Sequence, residues 1–178
     1  MENKVILDER TMMRTLARLS HEIIEHHPDD EEICLIGIRR RGVPLSKIIK
    51  ENIEKFSDLK VLLGELDITL YRDDLSEKSD MPSVNESFVP FDVKGQRIIL
   101  VDDVIYTGRT ARAAMEAVIG LGRPASIELL VMVDRGHREL PIAANYVGKN
   151  VPTSKSEFIS VRMTQIDGVN EVVLSRRG

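Results

Sequence analysis

Residues 98–110 read Ile-Ile-Leu-Val-Asp-Asp-Val-Ile-Tyr-Thr-Gly-Arg-Thr, and this stretch decides the fold class of the chain. Its apolar start predicts a buried strand, and Thr107-Gly108-Arg109-Thr110 predicts a turn that opens a helix. The first backbone N–H groups of a helix have no intrahelical acceptor, so a strand followed by such a turn forms an anion site. Gly108 lets the backbone approach the anion closely, and the two threonine hydroxyls can donate as well.

Two adjacent carboxylates, Asp102 and Asp103, follow the apolar residues. They would repel a phosphate, so they suit hydroxyl donors, and a ribose offers two adjacent hydroxyls. The stretch therefore predicts recognition of a ribose 5-phosphate, with an anion cradle at one end and a diol acceptor at the other. The alternative is that the aspartates cap the helix and that residues 107–110 form only a turn. A nucleotide-binding P-loop is excluded, because its glycine spacing before Lys-Ser/Thr is absent.

Alternating strands and helices extend outward from this stretch. The predicted strands are residues 33–38, 60–71, 97–103 and 126–133, and the predicted helices are residues 9–27, 43–56 and 110–120. Such alternation predicts an α/β fold with a mostly parallel sheet. Ligands of these folds bind beyond the carboxyl ends of the strands, which predicts a site at residues 39–42, 102–110 and 134–137.

The composition suits one domain over residues 1–178 in the reducing cytoplasm. The hydrophobic fraction of 42% and the charged fraction of 30% are ordinary for a globular chain, and Cys34 is the only cysteine. The net charge of −4 argues against sequence-independent binding to nucleic acid. Met1-Glu2-Asn3-Lys4 does not resemble the start of a signal peptide, and no apolar run approaches the roughly 20 residues of a membrane helix. We therefore expect a cytoplasmic protein without a membrane partner.

Residues 101–110 resemble the signature with which type I phosphoribosyltransferases bind phosphoribosyl pyrophosphate (PRPP). The resemblance implies a mostly parallel central sheet flanked by helices, with a small hood built from the N-terminal and C-terminal segments. It also implies Mg²⁺, bound together with PRPP, and a catalytic role for Asp103. The residues that it implies for the ribose and its phosphate are Asp102, Asp103, Tyr106, Thr107, Gly108, Arg109 and Thr110.

A loop with three arginines, Arg39-Arg40-Arg41-Gly42, connects a predicted strand to a predicted helix. Arginines beside a glycine can neutralise a pyrophosphate group, although a basic turn in solvent has the same sequence pattern. The resemblance implies that the loop binds the pyrophosphate leaving group, that Arg41 is catalytic, and that the loop contains a non-proline cis peptide bond.

A long polar stretch, about residues 71–90, follows the predicted strand 60–71. Its length predicts either a lid or a disordered insert. Phosphoribosyl transfer requires that water be kept from the reacting sugar, and a mobile lid would do so. Arg72 would then reach the pyrophosphate and act in catalysis, whereas the alternative is a surface loop without a chemical role.

Position 106 bears on the identity of the base. Purine-salvage members of the family usually carry an aspartate there, suited to proton traffic at purine N7. This chain has Tyr106, which argues against a purine. The resemblance places the base near Val133, Asp134 and Arg138, with Asp134 supporting Mg²⁺ indirectly.

Four runs, residues 67–74, 101–110, 133–141 and 148–155, together resemble the bifunctional regulators of pyrimidine operons. This closer resemblance implies synthesis of UMP from uracil and PRPP. It also implies that UMP or UTP promotes binding to the mRNA leader of the operon and transcription attenuation, and that the protein is a homodimer or a higher homo-oligomer. Two alternatives stay open: a nucleotide-sensing RNA-binding regulator with little catalytic activity, and a purine-salvage phosphoribosyltransferase.

Two basic sets are candidates for contact with the RNA. Arg14, Arg18 and His21 recur on one stripe of the predicted helix 9–27, and Lys149 and Lys155 lie around a polar segment. Judged from the residues alone, a solvated basic face explains both sets. The prediction of RNA binding therefore depends on the resemblance.

Overall fold

The computed structural model describes residues 2–69 and 87–177. Within these ranges no helix has the length and apolar character that crossing a membrane requires. The strands are β1 (Glu2–Leu7), β2 (Glu32–Ile38), β3 (Lys60–Leu66), β4 (Arg97–Ile105), β5 (Ser126–Asp134), β6 (Tyr146–Asn150), β7 (Glu157–Arg162) and β8 (Glu171–Arg176). The helices are α1 (Glu9–His26), α2 (Gly42–Phe56), α3 (Arg109–Leu121) and α4 (Thr164–Asp167).

Five strands form a parallel sheet with the order β3-β2-β4-β5-β6. In the central strand β4, Ile99 and Val101 belong to the core cluster of α1 and α2, whereas Ile98 and Leu100 belong to the core cluster of α3. The sheet is therefore covered by helices on both faces. A parallel sheet of this kind needs strands that are apolar on both sides, as residues 98–101 are. The predicted α/β fold is confirmed.

A second, antiparallel sheet with the order β1-β8-β7 joins the two ends of the described chain. Sequence patterns assigned no element after residue 133, so β6, β7, β8 and α4 were not predicted, and neither was β1. Most residues of β1 are exposed and α4 is only four residues long, so neither has a hydrophobic period that could reveal it.

The predicted strand 60–71 is wrong at its C-terminal end, because β3 stops at Leu66. Beyond it, Oδ1 of Asp67 accepts hydrogen bonds from the backbone N–H of Thr69 at 3.0 Å and from its hydroxyl at 2.5 Å, which turns the chain. Residues 70–86 lie outside the described residues. After them Phe88 exchanges backbone hydrogen bonds of 2.7 and 2.8 Å with Glu65 of β3.

The predicted end of β4 at residue 103 is also too early. Val104 and Ile105 still pair with Val133 and Asp134 of β5, so the strand runs to Ile105. The turn before α3 is therefore shorter than the sequence suggested, and it consists of residues 106–108.

Candidate active site

The carboxyl ends of β2, β4 and β5 bring the three predicted loops to one edge of the parallel sheet. A cavity of about 390 Å³ lies where β4 ends and α3 begins. Its wall contains Asp102, all residues from Val104 to Ala111, and Glu139. Of the residues predicted for the ribose and its phosphate, only Asp103 is not part of this wall.

The turn before α3 has the backbone that the anion site requires. Gly108 is in the left-handed conformation with φ of 93°, and it occupies the cap position, where no side-chain capping hydrogen bond forms among the described residues. Any other residue at position 108 would be strained by this backbone conformation, and its Cβ atom would lie only 3.3 Å from Cδ of Arg138. The carbonyl of Thr107 accepts from the N–H groups of Glu139 at 2.9 Å and Leu140 at 3.2 Å, which fixes the turn.

The two adjacent carboxylates lie within β4 and are oriented by the backbone that follows them. Oδ1 of Asp102 accepts from the N–H of Asp103, and Oδ1 of Asp103 accepts from the N–H of Val104, both at 2.8 Å. Because Gly108 holds the cap position of α3, the alternative in which the aspartates cap this helix is wrong.

The arginine loop is packed directly against β4. A Cβ atom at Gly42 would lie 2.2 Å from the carbonyl oxygen of Val101, and one at Gly37 would lie 2.7 Å from the carbonyl oxygen of Gly42. Only glycine permits these approaches, and they bring the loop beside the residue that precedes Asp102.

The Arg39–Arg40 peptide bond is cis, as the resemblance implied. Nε of Arg39 donates to Oε2 of Glu65 in β3 at 3.1 Å. The side chain of Arg40 is exposed. The first two arginines of the loop therefore differ, since one is paired with a neighbouring strand and the other extends into solvent.

Arg41 is held by a residue that the sequence analysis missed. Its Nε and Nη2 donate to the two carboxylate oxygens of Asp167 in α4 at 3.2 and 2.8 Å. These hydrogen bonds raise the pKa of Arg41, and the negative charges of Asp167 and Asp103 raise it further. The same bonds lower the pKa of Asp167, which also accepts from the N–H of Met163 at 2.8 Å. The pair connects the arginine loop to α4, which lies between β7 and β8 in the chain.

The segment after β5 is organised by Arg138. Its guanidinium donates to Oδ2 of Asp134 at 2.6 Å, to the carbonyl of Tyr106 at 2.6 Å and to the carbonyl of Ile142 at 2.7 Å. Arg138 therefore connects the turn before α3 to Asp134. The sequence predicted ligand contact at both of these places. Val133, predicted beside the base, has a fully buried side chain inside the sheet.

Two further residues of this segment, Arg135 and His137, contact the ring of Tyr106. The sequence analysis assigned neither, because nothing in the spacing of a residue shows which ring it contacts. Arg72, predicted to be catalytic, lies outside the described residues. Within residues 2–69 and 87–177 no cluster of three or more His, Cys, Asp or Glu side chains is placed to hold a metal ion.

One member of the helical basic set, Arg18, reaches the strand that carries Lys149. Nη2 of Arg18 donates to the carbonyl of Gly148 in β6 at 2.6 Å, and Nη1 of Arg18 pairs with Glu22 at 2.7 Å. Lys149 follows Gly148 and is exposed, as are Arg14 and Lys155. His21 is exposed on the same helix, and its ring stacks on that of Phe56 with 4.4 Å between centroids.

The sequence matches the model of one protein family, and it is similar to those of many known proteins. The model of the family described as phosphoribosyl transferase domain matches residues 2–165. The bifunctional protein PyrR of Clostridium novyi is 59% identical over 168 residues, which cover 94% of each chain. That of Caldicellulosiruptor bescii is 54% identical over 173 residues, covering 97% of this chain and 95% of the relative.

Solved structures with the same fold include two hypoxanthine phosphoribosyltransferases. The enzyme of Trypanosoma cruzi superimposes with a TM-score of 0.74 at 16% identity and covers 98% of this chain and 97% of its own. The enzyme of Staphylococcus aureus gives a TM-score of 0.72 at 16% identity, covering 98% of this chain and 92% of its own. At such low identity the likeness establishes the fold alone.

Proposed function

The chain belongs to the phosphoribosyltransferase family, and from that premise we propose that it converts uracil and PRPP to UMP and pyrophosphate and also regulates a pyrimidine operon by binding its mRNA leader. The main support for the proposed enzymatic activity is the cavity at which Asp102, the turn 106–108 and the start of α3 meet.

The carboxylate of Asp102, in the cavity wall, and that of Asp103, the next residue along β4, accept hydrogen bonds from the two ribose hydroxyls. The N–H groups of residues 107–110 and the hydroxyls of Thr107 and Thr110 bind the 5-phosphate. Positive charge develops on the sugar as the bond to pyrophosphate breaks, as it does in glycoside cleavage, and Asp103 stabilises that charge. These contacts also orient the anomeric carbon toward the base.

The arginine loop binds the departing pyrophosphate. Arg41 contributes most, because its pair with Asp167 holds the guanidinium beside Asp103 before the substrate arrives. Arg39 and Arg40 add positive charge, and Gly42 brings the loop against β4. Arg72 would close over the pyrophosphate from the predicted lid.

A Mg²⁺ ion that enters with PRPP would neutralise phosphate oxygens and would keep much of its water. Asp102 and Asp103, whose carboxylates lie near the end of β4, would support it. Asp134 would act through water, since Oδ2 of this residue is already paired with Arg138.

The base binds beside the segment that follows β5. Arg138 fixes the turn at Tyr106 and lies near the position of the base, and Val133, being buried, contributes through its backbone. Tyr106 has no carboxylate for proton exchange with purine N7, and this favours a pyrimidine.

The first experiment is to incubate the protein with Mg²⁺, PRPP and, separately, uracil, orotate, hypoxanthine or guanine, and to follow nucleotide formation. UMP from uracil alone is the expected result. Product from a purine base would replace the proposal with purine salvage. Binding of PRPP or UMP without any product would favour a nucleotide-sensing regulator with little catalytic activity.

The regulatory part is supported by the contact between Arg18 and Gly148, which brings the first basic set beside Lys149 of the second. Arg14, His21, Lys149 and Lys155 supply the contacts to RNA, and a homodimer or higher oligomer would extend the surface that they form. Uridine nucleotide bound in the cavity increases the affinity for the leader.

The regulatory part is tested by binding of leader RNA with and without UMP. Replacing Lys149 by Gln should weaken binding and reduce the slope of affinity against salt by about 0.7, while UMP synthesis is retained. Lys94→Gln makes the same charge change on an exposed side chain near the start of β4 and should leave RNA binding unchanged. Arg18 is a poor test residue, because its replacement also removes the link between α1 and β6. Equal loss of RNA binding in both lysine variants would contradict the assignment.

A further inference from the structure

Arg135 is a buried arginine that the phosphoribosyl chemistry described above does not use. It is only 7% exposed, and among the described residues no carboxylate pairs with it. Its acceptors are neutral: Nε donates to the hydroxyl of Thr153 at 3.1 Å, and Nη2 donates to the carbonyl of Glu157 at 2.8 Å. Burying a cation without a counterion is unfavourable, so its position requires a reason.

Arg135 also lies over two aromatic rings: its guanidinium carbon is 6.0 Å from the centroid of the Phe158 ring, and its closer contact is with the candidate active site. The guanidinium carbon lies 4.0 Å from the centroid of the Tyr106 ring, within the range of a cation–π interaction. His137 contacts the same ring edge-on with 5.6 Å between centroids, and Arg138 fixes the backbone carbonyl of Tyr106 at 2.6 Å. Tyr106 is thus held at both its backbone and its ring.

The ring that Arg135 holds is part of the cavity wall. Tyr106 is 37% exposed and lies in sequence between the carboxylates assigned to the ribose hydroxyls and the N–H groups assigned to the phosphate. A base attached to a ribose in this cavity is planar, and planar bases stack on aromatic rings. A tyrosine on a short turn would otherwise be free to change rotamer.

We propose that Arg135 is a positioning residue that acts through Tyr106, holding the tyrosine ring at the cavity wall so that the base of the substrate stacks on it. The proposal rests on the proposed function, because it assumes that a nucleotide occupies this cavity. Thr153 and Glu157 anchor the guanidinium from outside the cavity, so the orientation of the ring is set by residues that do not touch the ligand.

The test compares UMP with ribose 5-phosphate, which lacks the base, as ligands in isothermal titration calorimetry. Arg135→Lys keeps the charge but loses the planar fork, and Tyr106→Leu removes the ring. Each variant should bind UMP about tenfold more weakly, which corresponds to the low end of base–aromatic stacking. The affinity for ribose 5-phosphate should stay within about twofold of the wild type in both.

The double variant separates positioning from a merely structural role. If Arg135 acts through the ring, Arg135→Lys should cause no further loss of UMP affinity once Tyr106 is leucine. Arg162→Lys is the matched control, because Arg162 pairs with Glu171 across the same small sheet at 2.7 Å and should leave both affinities unchanged. If Arg135→Lys does not fold, Thr153→Val removes one anchor and should give a smaller loss of the same kind.

Additive losses, equal losses for the two ligands, or equal wild-type affinities for UMP and ribose 5-phosphate would each overturn the proposal. A wild-type protein that prefers UMP but makes none from uracil would contradict the enzymatic function. The binding cycle would still decide the role of Arg135.

Discussion

The hydrogen-bond partners of polar side chains differ between the two edges of the parallel sheet: the amino edge, where the strands begin, and the carboxyl edge, where they end. At the amino edge, polar side chains bind one another. Nδ1 of His27 lies 2.8 Å from Oδ2 of Asp30, and Nε2 of His27 lies 2.5 Å from Oε1 of Glu128. Nε of Arg97 donates to the other oxygen of Asp30 at 2.9 Å. The other oxygen of Glu128 accepts from the hydroxyl of Tyr146 at 2.8 Å. This network, the amino-edge network, connects the end of α1 to β4, β5 and β6.

At the carboxyl edge, Asp102, Asp103 and Asp134 instead accept hydrogen bonds from the backbone that follows them, although the second oxygen of Asp134 also pairs with Arg138. Asp102 and Asp103 each accept from the following N–H group, and Asp134 accepts from the N–H of Gly136 at 2.9 Å. Such local bonds orient an oxygen without joining distant elements. The difference indicates that the amino edge contributes mainly to stability, whereas the carboxyl edge presents groups to a ligand.

The largest expected effect is on catalysis, from Asp103→Asn at the carboxyl edge. The amide oxygen of Asn can still accept from the N–H of Val104, so the melting temperature should stay near that of the wild type. The loss of negative charge beside the developing positive charge should lower kcat/KM for UMP synthesis by about 10²- to 10³-fold. Steady-state kinetics and calorimetry measure the two effects.

The control for this variant is Asp92→Asn. Asp92 accepts from the backbone N–H of Lys94 at 2.9 Å in a similar local bond, near the start of β4, and its change should leave kcat/KM unaltered. A large loss of stability in Asp103→Asn would contradict the division between the two edges.

The second expected effect is on stability, from Glu128→Gln in the amino-edge network. Glu128 is the partner of both His27 and Tyr146, and burial together with the bond to Glu128 raises the pKa of the tyrosine. A neutral amide cannot serve both partners equally well, so the free energy of unfolding should fall by about 1–3 kcal/mol. Urea denaturation measures the change, and the KM values for PRPP and uracil should not move.

Glu116→Gln provides the comparison for Glu128→Gln. Glu116 pairs with Arg112 along one helix and its side chain is 56% exposed, so the free energy of unfolding should change by less than about 0.5 kcal/mol. Similar losses in the two glutamate variants would mean that the amino-edge network has no special role.

Sequence patterns predicted the carboxyl edge far better than the amino edge. The strand, turn and helix around Gly108 form a contiguous stretch, and their local chemistry is visible in the order of residues. His27 and Glu128 of the amino edge are 101 positions apart, so only the folded chain brings them together. The same is true at the carboxyl edge of Arg41 and Asp167, which are 126 positions apart. The contact of Arg135 with Tyr106 was unpredictable for the same reason.

The third expected effect is on substrate binding, from Asp167→Asn at the carboxyl edge. Arg41 would lose its bidentate partner and would have to be ordered when the pyrophosphate binds. Ordering one long side chain raises the KM for PRPP by between about two- and tenfold, with little change in kcat. Glu171→Gln is the matched control, because Glu171 pairs with Arg162 nearby in the chain and its side chain is as exposed as that of Asp167, at 19%. A lower KM in Asp167→Asn would mean that Asp167 holds Arg41 away from the substrate.

The smallest expected effect is on the acid stability of the amino edge. The hydrogen bond from His27, followed by the bond and charge of Arg97, holds the pKa of Asp30 below its usual 3.8. A carboxylate whose pKa is lowered by folding adds stability that is complete above its unfolded pKa and is lost as the pH falls through the folded one. Asp30→Asn should therefore reduce stability at pH 7, and its unfolding free energy should decline less steeply than that of the wild type below about pH 4.

Urea denaturation from pH 7 to pH 3 tests this expectation. Asp29→Asn changes an exposed neighbour and is the control, which should keep the wild-type slope of unfolding free energy against pH. Parallel curves for wild type and Asp30→Asn would show that the amino-edge network does not depend on the ionised aspartate.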